Sequence, residues 1–169
     1  MCMQCRHLYL WMRLHILCIN DRREFSTFFI RYYFLTHHLH SSFNHLLSCP
    51  SASLDYIIEP WFLGAGSEGP GGPEFNEWAN QISQNGHTQF ITSVKDLPTS
   101  KQPRVALISG RTADNPRLLS ECIQAGCKCI YLEKPGAPTV KELEDMSAEA
   151  SEAGIEVLMG YNKVSLMVW

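Results

Sequence analysis

The first fifty residues contain no glycine, alanine, valine or lysine. A folded domain ordinarily needs glycine where the chain turns left-handed, and it uses alanine and valine in its core. Their absence sets residues 1–53 apart as an expected poorly ordered or non-native leader. That leader holds six of the seven histidines, and residues 1–50 carry five arginines and two acids, a net +3. Residues 51–169 carry nine basic and fifteen acidic side chains, a net −6. Such an acidic body offers no broad footprint for a phosphate backbone, so nucleic acid is not an expected partner. No window reaches the ~18 uncharged apolar residues of a spanning helix, so a membrane is not expected either. The apolar opening Met1–Asn20 is broken by Arg6, Arg13 and His15, where a secretory signal would run uninterrupted. Arginine with few acids also fits an organelle transit peptide, but serine is sparse and Phe, Tyr and His are too common. The expected location is the cytoplasm, with the seven cysteines as reduced thiols. Cys2, Cys5 and His7, or His37, His38, His40 and His45, have the chemistry of zinc ligands. Their spacing is irregular, whereas metal sites use paired clusters at recurrent spacings, so no metal is expected.

From Leu54 onward the pattern becomes regular. Leu54–Glu59 reads as a strand and Gly64–Pro73 as a Gly/Pro loop. Phe75, Trp78, Ala79 and Ile82 then fall on one face of a helix that Gly86 ends. Gln89–Thr92 is a short strand. Val105–Ile108 is a continuous apolar run, suited to a parallel strand covered on both faces. Asn115-Pro116 reads as an N-cap and first helical turn, with Leu118, Leu119, Cys122 and Ile123 as the apolar stripe and Gly126 as the stop. Cys129–Leu132 is the next strand. Thr139 and Glu142 form a capping box for a helix lined by Val140, Leu143, Met146, Ala150 and Ala153. Gly154 ends that helix, and Ile155–Met159 is the last strand. The order β-α-β-β-α-β-α-β predicts an α/β fold with a doubly wound parallel sheet of about five strands.

Three constellations carry chemistry. Lys134, in Glu133-Lys134-Pro135, ends an apolar strand, where open α/β sheets bind ligands. A lysine there can hydrogen-bond a cofactor ribose and a substrate hydroxyl, and its charge stabilises a developing alkoxide; the alternative is a surface lysine closing a strand. Ser109-Gly110-Arg111-Thr112 follows the Val105–Ile108 strand and can line a ligand with backbone groups, although Arg111 reads equally well as a solvated turn residue. Gly64-Ala-Gly66-Ser-Glu-Gly69 matches a dinucleotide fingerprint in letters. Pro70-Gly-Gly-Pro73 delays the helix whose start must aim the N–H groups at a pyrophosphate, so the fingerprint is the less favoured of two readings of this loop.

Taken in order, Val105–Ile108, Glu133-Lys134-Pro135, a capped helix, a second apolar strand and Gly160-Tyr161-Asn162 resemble the nucleotide-binding domain of the Gfo/Idh/MocA family. These are NAD(P)-dependent sugar and polyol oxidoreductases. The resemblance spans Leu54–Lys163, a partial dinucleotide-binding domain over residues 54–163 with a tail over 164–169. It implies a Rossmann-like sheet, and Lys134 as the active-site lysine held by Glu133 and Pro135. It implies Ser109, Gly110 and Thr112 along the dinucleotide and Asn162 near the nicotinamide. The chain departs from the family where a Thr-Pro pair and a His usually follow the Val105–Ile108 strand. Counting strands back from Glu133 makes Leu54 the start of the second strand rather than the first. Glu59 then falls where an acid binds the adenosine ribose; the alternative is a strand-end carboxylate in solvent. An acid there favours NAD over NADP. The first strand and its glycine-rich loop must then lie in residues 1–53, where no glycine exists.

The implied activity is oxidation or reduction of a small polyhydroxylated substrate. The alternative is a non-catalytic fragment or nucleotide-binding module lacking the phosphate cradle and catalytic domain. The family's acid–base pair and most subunit contacts belong to a further domain, so catalysis by this chain alone is uncertain and oligomers are expected only with that domain. The composition break near Pro50 and the end soon after Lys163 lead to the expectation that both ends are extraneous to a genuine internal piece.

Overall fold

The computed structural model of the chain describes residues 25–31, 52–84, 86–101 and 103–160. Six strands form one sheet: β1 (Phe25–Arg31), β2 (Ala52–Ile58), β3 (Gln89–Ile91), β4 (Arg104–Ser109), β5 (Cys127–Glu133) and β6 (Glu156–Gly160). Among the described residues, three α-helices lie between strands: α1 (Gly72–Ser83), α2 (Asn115–Gln124) and α3 (Val140–Ala153). The strand order is β3-β2-β1-β4-β5-β6, and every pairing is parallel.

The five strands and three helices expected from Leu54 onward are all present in that order. The sixth strand comes from the leader. Phe25–Arg31 pairs with β2 on one side and β4 on the other, at the centre of the sheet. Its sequence, Phe-Ser-Thr-Phe-Phe-Ile-Arg, is rich in aromatic and β-branched residues, which suit a pleated strand. Composition averaged over fifty residues conceals this seven-residue run. Ala52–Ile58 accordingly occupies the second-strand position.

Alternation along the strands divides the core in two. Ala106, Ile108, Ile130 and Leu132 face α2 and α3, where Leu118, Leu119, Cys122 and Met146 meet them. Leu107, Leu54 and Ile57 belong to the opposite layer, with Ile82 of α1. A strand buried on both faces needs apolar residues at successive positions, which is why Val105–Ile108 does not alternate. Each fully buried Leu or Ile contributes roughly 1.5–3 kcal/mol. Around α1, Phe75 stacks on Phe62 at 5.1 Å, and Trp78 meets Phe90 edge-on at 5.7 Å.

Two local expectations need correction. Val140 and Ala153, the end residues of α3, face solvent, because only its central turns, with Met146 and Ala150 buried, lie over the sheet. The Thr139–Glu142 box is half made. Glu142 N–H donates to Thr139 Oγ1 at 3.2 Å, but the Glu142 carboxylate accepts from the Thr139 hydroxyl at 2.7 Å. At the other end of the sheet, the buried Arg104 donates to the carbonyls of Ala125 and Pro98, tying the end of α2 to the loop before β4. Among the described residues no helix is long and apolar enough to cross a membrane, and no cluster of His, Cys, Asp and Glu suits a metal. The amino-terminal Cys and His candidates lie outside the described residues.

Cys122, Cys127 and Cys129 are free thiols. Burial, then Glu156 and Cys127, pushes the Cys129 thiol from 9.0 up to about 12. Burial, then Glu133, raises the Tyr131 phenol as well. Both groups hold their protons more tightly folded than unfolded. The Cys129 contribution is complete below pH 9 and is lost as pH rises towards about 12. The urea midpoint should therefore drop between about pH 8 and about pH 10.5, and Cys129→Ala should reduce that drop. An identical drop in the variant would assign the alkaline sensitivity to other groups.

Candidate functional site

Because all pairings are parallel, all six strands deliver their carboxyl ends to one edge. Ile30 is level with Ile58 and Ile108, Arg31 with Ser109, Ile108 with Leu132, and Glu133 with Gly160. Glu59, Ser109, Glu133 and Gly160 therefore stand in a row. The strand order reverses between β1 and β4, so the crevice of the sheet opens between Arg31 and Ser109. At about 4.8 Å per strand, the edge from β2 to β5 spans roughly 14 Å.

Lys134 is exposed on this edge, in a turn of four residues. Gly136 N–H donates to the Glu133 carbonyl at 3.2 Å, and the Lys134–Pro135 peptide is cis. The Glu133 carboxylate serves the same turn. Its Oε2 accepts from Lys134 N–H at 3.2 Å and its Oε1 from the Tyr131 hydroxyl at 3.2 Å. Gly136 has φ +89°, a left-handed value that favours glycine, and a side chain there would have to displace the tips of Met159 and Leu143. A Cβ would lie 2.7 Å from Met159 Cε and 3.2 Å from Leu143 Cδ1. From the first turn of α2, Asn115 Nδ2 donates to the Gly136 carbonyl at 2.8 Å. Asn115 was expected to cap α2. It is instead the first helical residue, 2% exposed, and its side chain leaves its own helix for a turn 21 residues away.

Ser109 ends β4 and Gly110 follows it, both half-buried, and Thr112 opens a short 3₁₀ turn. Arg111 Nε lies 2.8 Å from Asp114 Oδ2 with its side chain two-thirds exposed. That surface ion pair contributes at most about 1 kcal/mol. Glu59 follows β2 and is fully buried. Its Oε1 accepts from the N–H groups of Trp61 (3.0 Å) and Phe62 (3.4 Å), so its carboxylate is engaged by its own loop.

The glycine-rich loop follows β2, one strand from the reversal. Gly66 lies against the Trp61 indole, where a Cβ would collide with Nε1. The helix begins only at Gly72, after the left-handed Gly71. The letters of the fingerprint thus serve close packing within the loop.

Of the residues singled out by sequence, Ser109, Gly110, Thr112, Glu133 and Lys134 come together at the ends of adjacent strands. Glu59 stands on the same edge two strands beyond β4, and Asn162 lies outside the described residues. Sequence reading missed the contact of Asn115 with Gly136. An Asn-Pro pair at a helix start gives no sign of a partner so distant in sequence.

Residues 74–161, more than half of the chain, match the profile of an oxidoreductase family with an NAD-binding Rossmann fold, GFO_IDH_MocA. Comparison with curated proteins gave no match. Among solved structures, the chain is similar to GenD2 from gentamicin A biosynthesis in complex with NAD, with a TM-score of 0.59 and 14% identity over 82% of this chain and 34% of that one. It is similar to the super-repressor mutant of Gal80p from Saccharomyces cerevisiae, with a TM-score of 0.61 and 10% identity over 81% and 34%. An NAD-binding protein from Listeria innocua gives 0.57 and 12% over 81% and 35%. The chain spans about a third of the length of each of these.

The Glu133–Gly136 turn admits a direct test. Gly136→Ala combines a left-handed backbone with a forced shift of the Met159 and Leu143 tips, so it should cost about 1–2 kcal/mol in urea unfolding. Gly86→Ala, also at positive φ but with nothing within 4 Å of the new Cβ, should cost less. Equal losses would show that backbone conformation alone decides.

Proposed function

Since the chain belongs to the Gfo/Idh/MocA oxidoreductase family, with its NAD-binding Rossmann fold, we propose that it is the nucleotide-binding part of an NAD-dependent oxidoreductase. Its substrate would be a small molecule bearing a sugar- or polyol-like hydroxyl. The observation that carries this reading is Lys134, exposed at the carboxyl end of β5 and one strand from the point where the sheet order reverses. That edge is where open α/β sheets take their ligands.

The residues present fit the nicotinamide half of a dinucleotide better than the pyrophosphate half. At β4 and β5, a turn with half-buried Ser109 and Gly110 adjoins an exposed cation. At β2 the Glu59 carboxylate is already engaged by Trp61 and Phe62 N–H groups. Binding an adenosine ribose there requires a reorientation of Glu59 or the use of its remaining lone pairs. After β1, residues 32–51 hold no glycine to let backbone approach a pyrophosphate. When bound, NAD would supply the hydride acceptor. Ser109, Gly110 and Thr112 would line it, and Asn162 would stand near its nicotinamide. Lys134 would donate a hydrogen bond to the reacting oxygen and stabilise the negative charge that builds there as a hydroxyl is oxidised. The proton acceptor would come from a second domain, as would most of the substrate pocket. An acid at Glu59 would repel a 2′-phosphate, so NAD is preferred to NADP.

A second reading has specific support. The glycine-free sequence after β1 and the likeness to a repressor favour a binding module without catalysis. NADH fluorescence titration separates the two readings. The oxidoreductase reading expects a Kd below about 1 mM, weakened about tenfold by Lys134→Ala. Absence of binding, or equal binding by the variant, would favour the module.

A further inference from the structure

Lys134 can serve a reacting oxygen only if its turn is held in place, and the hold on that turn is identifiable. Three neighbouring elements converge on Gly136: α3 through Leu143, β6 through Met159, and α2 through Asn115. The first two supply bulk. Asn115 supplies the directional contact, a 2.8 Å hydrogen bond from Nδ2 to the Gly136 carbonyl. That bond lies in a site with almost no water access, since Asn115 is 2% exposed. Its other amide atom, Oδ1, is buried and receives no hydrogen bond among the described residues. Burying a half-satisfied amide is unfavourable, and a leucine there would remove the unpaired oxygen only by leaving the buried Gly136 carbonyl without its donor. The amide is thus matched to one partner, the Gly136 carbonyl, and serves the lysine turn rather than its own helix. Asn115 also begins the helix that follows the Ser109–Thr112 turn. One side chain thus couples the end of the β4 connection to the lysine turn at the end of β5.

We infer that Asn115 is a positioning residue, which sets Lys134 against the nicotinamide end of a bound dinucleotide by holding the Gly136 carbonyl. This inference rests on the oxidoreductase reading. Asn115 would act through the Gly136 carbonyl, a role distinct from those given to Lys134, Glu133 and Ser109.

The test uses the full chain and two variants. Asn115→Asp keeps the shape but loses the donor. Asn115→His restores an N–H at the same distance from Cβ. Hydrogen exchange at the Gly136 amide, which closes the turn, reports the hold without any ligand. Titrations with NADH and with AMP, which lacks the nicotinamide half, report its use. We expect Asn115→Asp to speed exchange at Gly136 about tenfold, with Leu107 and Ile130 unchanged, and to weaken NADH about tenfold while sparing AMP. Asn115→His should restore both. Unchanged exchange at Gly136, equal weakening of NADH and AMP, or faster exchange throughout the core would overturn the inference. A native chain that binds no NADH, with the turn still loosened in Asn115→Asp, would refute the oxidoreductase reading and leave Asn115 a purely structural clamp. A native chain that binds NADH as tightly as Asn115→Asp does would refute this inference alone.

Discussion

Parallel pairing is the constraint from which the rest of this molecule follows. A parallel neighbour cannot be reached by a tight turn, so the chain must cross a face of the sheet between strands. Those crossings put α1 on one face and α2 and α3 on the other. Both faces are then covered, which requires apolar residues at consecutive positions such as Ala106, Leu107 and Ile108. The same constraint sends every strand's carboxyl end to one edge, so residues more than seventy positions apart, from Glu59 to Glu133, share it. The site is a consequence of strand direction before it is a matter of side chains.

The centre of that sheet has an unexpected source. Phe25–Arg31 lies in a stretch whose composition is unlike the remainder, yet it separates β2 from β4 and creates the reversal at which the crevice opens. Without it, the inner edges of β2 and β4 would each expose a row of backbone donors and acceptors. The short run carries strong strand propensity of its own, whereas the first fifty residues around it lack glycine, alanine and valine. Strand propensity acts over a few residues, and an average over fifty hides it.

The lysine turn shows how an exposed functional group depends on buried ones. Lys134 itself faces solvent, but Gly136, two residues on, is enclosed by Met159, Leu143 and Asn115. Glu133 contributes both carboxylate oxygens, one to Tyr131 and one to the Lys134 N–H. An exposed lysine carries several rotatable bonds and is poorly fixed by its own side chain. Its backbone is what the fold can hold, and three elements do so. The glycine-rich loop after β2 is the opposite case. Its motif letters suit a phosphate, but Trp61 lies on Gly66 and the helix starts too late. A short motif states which residues are small; its surroundings decide what comes close to them.

Much of the architecture was legible in the sequence. The five strands and three helices after Leu54 follow from local signals: apolar periodicity, Pro73 and Pro116 in first turns, and Gly126 and Gly154 as stops. These depend on contacts within a few residues. The order of the motifs likewise marked Lys134, Ser109 and Glu133 as edge residues, because a strand's carboxyl end can be read from its own boundaries. Tertiary structure alone decided the rest. It placed Phe25–Arg31 at the centre, buried the Glu59 carboxylate against its own loop, exposed Val140, and sent the Asn115 side chain to Gly136 rather than to its helix end. Each of these depends on groups far apart in the chain, or on which positions lie over the sheet. Such proximity arises only when the strands pair, and no local pattern of residues encodes it.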